Sequence, residues 1–287
     1  MKSKIFKVIK KIGEVFLGDM LLILRIRESD RIINEYLSKY PNSLIKYSFS
    51  IYSQNLEDGI INEIFNRLKI TKPNFIEFGV SSVENNTLNL LLNEGRGVWA
   101  DVKLKKDKNQ LGAIKNLYII DSWITKDNIS DIIIESQTFL DILDSNDLDI
   151  ISMDLDGNDY YLIESLLKSG ITPKLFCLEY NAKFPLPQKT YTKYDSNNVW
   201  CKDDYMGCSL QSYIDLLKEF NYTLITCDIY GINSFFIRKE FVENFHIYSS
   251  EILYQPPRYY LSPSYKGHKS TIKYLQNLLP HQERRES

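Results

Sequence analysis

The chain has 287 residues, 44% of them hydrophobic and 25% charged, with 35 Lys and Arg against 37 Asp and Glu. This near-neutral, apolar-rich composition excludes a bulk nucleic-acid binder, and the length suits one large α/β domain with additions. The four cysteines form no CxxC pair or metal-finger spacing and read as reduced thiols of a cytoplasmic protein, while His246, His268 and His281 lie outside every motif below, leaving little material for Ser-His-Asp or Cys-His catalysis.

The opening "MKSKIFKVIKKIGEVFLGDMLLILRI" has a basic start and an apolar stretch. Glu14 and Asp19 interrupt it and no small-residue cleavage site follows, and its unbroken run is far shorter than the roughly 18 residues of a membrane span. Lys2, Lys4, Lys7, Lys10 and Lys11 alternate with Ile5, Val8, Ile9 and Ile12 at helical spacing. Such a helix suits peripheral contact with a membrane surface, or packing on the domain or on a second subunit of a homo-oligomer; packing is the preferred reading. Residues 1–45 are taken as this helical extension, 46–250 as the main domain and 251–287 as a C-terminal extension.

From residue 55 onward helix and strand patterns alternate. A helix is expected at "LEDGIINEIFNRL", a strand at "NFIEFGV", a helix around "NTLNLLLNEG", and strands at "GVWADV" and "LYIID". A helix near "SQTFLDILDS", the strand "LDIISMD", the helix "YYLIESLLKSG" and the strand "KLFCLEY" follow. Alternation of this kind implies βαβ units and a mostly parallel sheet. After the helix "SLQSYIDLLKEFNY" the pattern changes: "TLITCD" and "INSFFIRK" are too close for a parallel crossover and must form an antiparallel hairpin.

Acids collect where the strands end. Glu77 precedes Gly79 by two residues, and Gly79 would let a ligand approach the backbone at a strand-order reversal. Asp101 follows at about the 20-residue separation at which an acid reaches ribose hydroxyls. Asp121 and Ser122 end the third strand. In "DLDGND", strand alternation would put Asp154 and Asp156 on one side, with Asn158 and Asp159 left to cap the next helix. The neighbouring "LEYNA" brings Glu179 and Asn181 to the same edge. Beyond it, "NAKFPLPQKTYTKYDSNNVWCKDDYMG" is a long connection rich in Tyr, Trp, Lys and Asp, the composition of a lid or binding loop for a sugar or other polyhydroxylated acceptor.

Five parallel-type strands followed by a hairpin resemble the strand plan of class I S-adenosylmethionine-dependent methyltransferases. The resemblance implies a Rossmann-like, seven-stranded sheet, mostly parallel with the last strand antiparallel. Four stretches, "YSQNLEDGIINEIF", "IEFGVSSVENNTLNLLLNEGRGVWAD", "ISMDLDGNDYYLIESLL" and "LEYNAKFP", together resemble the FkbM-like branch of that class from Ser53 to Arg238. The chain departs from the branch in its thinned glycine loop, with Ser81 and Val83 for glycines, and in "ADV" where many relatives have Glu-Pro. The likeness implies S-adenosylmethionine bound by Gln54, Glu77, Gly79, Ser81, Asn86, Thr87, Asp101, Asp121, Ser122 and Asp154, with Glu57 and Asp58 nearby. For the last two the residues alone equally allow solvated acids at a helix start.

The activity implied is O-methylation of a sugar or other small-molecule or glycan acceptor, with Asp154, Asp156, Glu179 and Asn181 carrying the chemistry. Asp154, Glu179 and Asn181 also resemble the Asp…Asp-Asn magnesium site of catechol-type O-methyltransferases; a metal-free version, with Asp154 orienting the acceptor and Asp156 as base, is preferred to one using Mg²⁺. The rival reading takes Asp154-Leu155-Asp156 as the metal-binding Asp-x-Asp of a nucleotide-sugar glycosyltransferase. A third keeps the fold as a non-catalytic assembly surface.

Overall fold

The apolar runs of the sequence leave each strand covered on both faces, and helices supply the cover. A computed structural model of the protein describes residues 2–80, 85–106, 108–142 and 147–261, and no side chain before Leu17. In chain order the elements are α1 (Lys2–Lys39), α2 (Glu57–Leu68), β1 (Asn74–Phe78), α3 (Leu88–Leu92), β2 (Arg96–Ala100), α4 (Lys108–Leu111), β3 (Leu117–Ile120) and α5 (Ile129–Leu140). There follow β4 (Ile150–Met153), α6 (Asp159–Lys168), β5 (Leu175–Glu179), α7 (Leu210–Glu219), β6 (Tyr222–Cys227), β7 (Asn233–Arg238) and α8 (Ser250–Leu253).

The strands form one seven-stranded sheet in the order β3-β2-β1-β4-β5-β7-β6. Pairs from β3 through β5 are parallel, and β7 is antiparallel to both β5 and β6. All seven expected strands are present, and the terminal hairpin forms with its second strand inserted beside β5. Side chains alternate between the two faces. Ile76, Phe78, Val98, Ile151 and Phe176 pack with α5, α6 and α7, whereas Phe75, Trp99, Ile150 and Leu175 pack with α2 and α3. Each fully buried residue of this size contributes about 1.5–3 kcal/mol relative to exposure. The order in which strands are added reverses between the parallel neighbours β1 and β4, so their carboxyl ends flank a crevice, the position at which open α/β sheets bind ligands.

Two elements differ from expectation. The helix placed near "SQTFLDILDS" begins earlier, at Ile129, because Ile129, Ile132, Ile133, Ser136 and Leu140 make a buried stripe at helical spacing. Of the run Ile132–Ile134, the first two lie in that buried stripe and Ile134 is exposed. At the N-terminus, among the described side chains, α1 docks through its last turns: Ile32, Ile33 and Tyr36 pack with Ile45, Ile229, Tyr230 and Leu261, and Tyr36 donates to the Ile252 carbonyl at 2.9 Å. Upstream, Leu17, Met20–Leu24 and Ile26 stand exposed in the single chain, and the side chains of the expected amphipathic stretch Lys2–Ile12 lie outside the described ones. Among the described residues no helix is long and apolar enough to cross a membrane.

Candidate active site at the strand tips

After β1 the chain turns at Gly79 with φ +81°. A Cβ at Gly79 would lie 1.6 Å from the Asp154 carbonyl oxygen, so the glycine admits the tip of β4 rather than the ligand expected from the sequence. Glu77 is buried and accepts hydrogen bonds from the Asn86 and Thr87 amides at 2.8 and 3.0 Å and from the Thr87 hydroxyl. Thr87 Oγ1 in turn accepts from Trp99 Nε1 at 2.8 Å, and Asn86 Nδ2 donates to Ser152 Oγ at 3.1 Å. The Asn-Thr pair is thus explained as an anchor that ties the loop after β1 to the Glu77 carboxyl. Burial pushes Glu77 up to about 7 against the pull of these donors. Ser81 lies outside the described residues.

At the next tips three acids meet. Oxygens of Asp154, Asp156 and Glu179 all lie within 4.8 Å of one another. Strand alternation is not what brings Asp156 there: β4 stops at Met153, and a left-handed residue, Asp156 with φ +60°, folds the turn back. Asp tolerates that conformation better than most residues, and such positions concentrate at functional sites. Asp159 opens α6 and its carboxylate accepts from the Leu155 and Gly157 amides at 2.8 and 3.0 Å, fixing the turn. Asn158 makes no side-chain cap and reaches the long connection instead.

Burial is the first cause that raises the acids, and mutual repulsion adds to it. Asp154 is held well above the ordinary range by burial and by Asp156 and Asp159; Glu179 is raised likewise by burial, then by Asp154, Asp156 and Asp159. Asp156 is raised to about 6 by burial and Asp159, with Lys103 pulling it down. Such a trio cannot carry three charges unaided, so it retains a proton or takes a cation. Glu179 Oε2 is buried with no hydrogen-bond partner. Asn181 does not join them: its Nδ2 donates to the Asp204 and Met206 carbonyls at 2.9 and 3.1 Å, which commits it to the root of the long connection. β5 ends at Glu179, so the two-residue period expected to align Asn181 no longer applies.

Two of the three acids, Asp154 and Asp156, border a cavity, with Glu179 behind them. Asp101, Lys103 and Ser122 line it from the tips of β2 and β3, Asp154 and Asp156 from β4, and Asn198, Val199 and Trp200 of the connection close it over. Asp101 is buried and accepts from the Lys103 amide at 2.6 Å. The connection is latched by Trp123 Nε1 to the Ser196 carbonyl at 2.6 Å and by Asn158 Nδ2 to the Asp195 carbonyl at 2.7 Å. The enclosed space is about 120 Å³. Ligand pockets usually exceed about 300 Å³, so a nucleotide-sized ligand needs this cover withdrawn.

Other expected residues fall elsewhere. Asp121 pairs with Lys108 at 2.7 Å, which lowers its carboxyl, and does not line the cavity. Gln54 is exposed. Glu57 and Asp58 are both buried, which overturns the reading of solvated helix-start acids. Glu57 accepts from Asn233 Nδ2 at 2.6 Å, and one oxygen of Asp58 collects the Ile51, Tyr52 and Ser53 amides at 2.7, 2.7 and 3.0 Å. Sequence reading missed Lys103, Asp228 and Asn233. Asp228 caps the tip of β6 as Asp101 and Asp154 follow β2 and β4, the one pattern that would have flagged it; burial and then Glu57 raise it to about 8.

Strand order and parallel pairing from β3 through β5 give a Rossmann-like seven-stranded sheet with acids at its strand tips. No protein-family model matches the chain, and no curated protein is similar to it. Two solved structures show a remote likeness. One is an S-adenosylmethionine-dependent methyltransferase from Clostridium acetobutylicum ATCC 824, at 12% identity and a TM-score of 0.36 over 63% of this chain and 90% of that one. The other, from Galdieria sulphuraria, is proposed to be a sarcosine dimethylglycine methyltransferase and aligns at 11% identity and a TM-score of 0.33 over 68% of this chain and 75% of that one.

Proposed function

We propose that the protein is an S-adenosylmethionine-dependent O-methyltransferase of the FkbM-like kind, acting on a sugar or another polyhydroxylated acceptor. The observation that carries this reading is that Asp101 and the Asp154/Asp156 turn, at strand tips on the two sides of β1, line one cavity beneath an aromatic-rich cover. Asp101 suits the ribose diol of the cofactor, with its carboxylate already held by the Lys103 amide. Bound S-adenosylmethionine would supply an activated methyl group. Asp154 and Glu179 then orient the acceptor, and Asp156 takes the hydroxyl proton as oxygen attacks, work of positioning and general-base catalysis. Trp123 and the cover exclude water from that transfer.

A second reading adds a divalent cation. The closeness of Asp154, Asp156 and Glu179 and the unpartnered Glu179 Oε2 favour a ligand set of those three, with Asp156 in the place that the sequence assigns to Asn181. Mg²⁺ held there would bind acceptor hydroxyls and acidify one of them. The glycosyltransferase reading uses the same Asp-Leu-Asp but leaves Asp101 and the inserted antiparallel strand without a role.

Calorimetric titration separates these readings. S-Adenosylhomocysteine should bind and UDP-glucose should not, and Asp101→Asn should weaken binding by about 1.5–3 kcal/mol, the range for a hydrogen bond to a charged group. Binding of UDP-glucose alone would install the glycosyltransferase, and binding of neither the non-catalytic relative. In a parallel arm, Mg²⁺ uptake that Asp156→Asn abolishes would select the metal version.

A further inference from the structure

Among the described residues, exposed large apolar side chains are scattered over the domain but gather into one run along α1. Leu17, Met20, Leu21, Leu22, Ile23, Leu24 and Ile26 are each between 43% and 53% exposed, although every one is a large apolar side chain. Downstream the same helix is well seated: Ser29 is buried, its hydroxyl 3.2 Å from the Tyr230 hydroxyl, and Ile32, Ile33 and Tyr36 join a core cluster. The exposed stretch thus begins where docking stops, one turn before Ser29. At about 1.5 Å per residue, Lys2 to Glu28 forms a helix of about 40 Å ahead of the docked end.

Two features identify what meets it. Met20–Leu24 are five consecutive exposed apolar residues, and at about 100° per residue they turn through a full circle. A partner helix covers a stripe roughly 100° wide and would leave the opposite side chains wet. Charge is the second feature. The first 27 residues hold seven Lys or Arg and two acids, which leaves the remainder of the chain net negative. Two copies of this helix side by side would oppose like charges, whereas an anionic surface neutralises them. The apolar stretch is too short to cross a bilayer.

We propose that α1 is an interfacial anchor: residues 17–26 enter the headgroup–acyl boundary of an anionic membrane while the flanking basic residues hold the lipid phosphates. The inference stands apart from the methyltransferase reading, since it uses no residue of the cavity. Sedimentation of the full chain with vesicles tests it. The protein should bind phosphatidylcholine–phosphatidylglycerol vesicles (3:1, roughly the anionic fraction of a charged leaflet) and stay in solution with pure phosphatidylcholine. Lys7→Glu/Lys11→Glu should reduce partitioning at least about 25-fold, because each basic residue near the surface contributes about five-fold. Leu21→Glu/Leu24→Glu should abolish binding with an unchanged melting temperature, the positions being exposed. Equal binding to both vesicles, or to neither, overturns the proposal. So does a dimer in analytical ultracentrifugation that Leu21→Glu/Leu24→Glu dissolves while the intact chain ignores both vesicles.

Discussion

Gly79 illustrates how a residue can be read for the right place and the wrong reason. A strand-tip glycine flanked by acids marks the crevice, yet here it is the Asp154 carbonyl that fills the space a Cβ would take. Gly79→Ala should therefore destabilise the fold by at least about 2 kcal/mol, combining a left-handed backbone with overpacking. Denaturant unfolding measures it; a loss below that, accompanied by weaker S-adenosylhomocysteine binding, would return the glycine to ligand contact. The other acids divide in the same way. Asp101, Asp154, Asp156 and Glu179 were legible as strand-tip acids from the point at which each apolar run ends. Glu77, also at a strand tip, instead holds backbone amides, and Asn181, two residues past Glu179, holds backbone carbonyls, a distinction set by side-chain direction, which residue spacing does not encode.

At the scale of elements, strands were more legible than helices. β1 through β7 appear where apolar runs end in turn residues, whereas α5 was expected too late in the chain, because its start at Ile129 is set by the residues that the sheet buries. The long connection also proves composite. Its root is built in: Thr192 is buried and donates to the Gly157 carbonyl at 2.6 Å, and Tyr191 bridges to Cys208. Only residues 194–200 form the latch over the cavity. Replacing them with a Gly-Ser segment of equal length should keep the melting temperature and raise the association rate of S-adenosylhomocysteine at least about ten-fold, since ligand no longer waits for opening. Stopped-flow fluorescence of Trp123 follows it, and an unchanged rate would mean that the latch does not gate the cavity.

Across the whole molecule, buried acids set the response to pH. Glu77 rises from 4.5 to about 7 and Asp228 from 3.8 to about 8, so between those limits the native state holds protons that the unfolded chain has released. The stability these groups contribute is full below their unfolded values and is lost as pH rises through the folded ones. Melting temperature should fall between about pH 5 and pH 8.5 at constant ionic strength, Glu77 alone accounting for about 3 kcal/mol. A melting temperature that climbs over this range would show both carboxyls ionised in the native protein.

The position of β7 carries a consequence for biosynthesis. This strand lies between β5 and β6, yet it is the last of the described strands to leave the ribosome. Until Arg238 has emerged, the nascent chain presents an unpaired edge at β5, the strand that ends in Glu179, and Glu57 lacks its Asn233 partner. Pairing across such sequence distance forms late, and bare edges invite mispairing while they persist. The acid trio is thus framed only once β7 has been made, and a product terminated before it has an open sheet in place of a partial site.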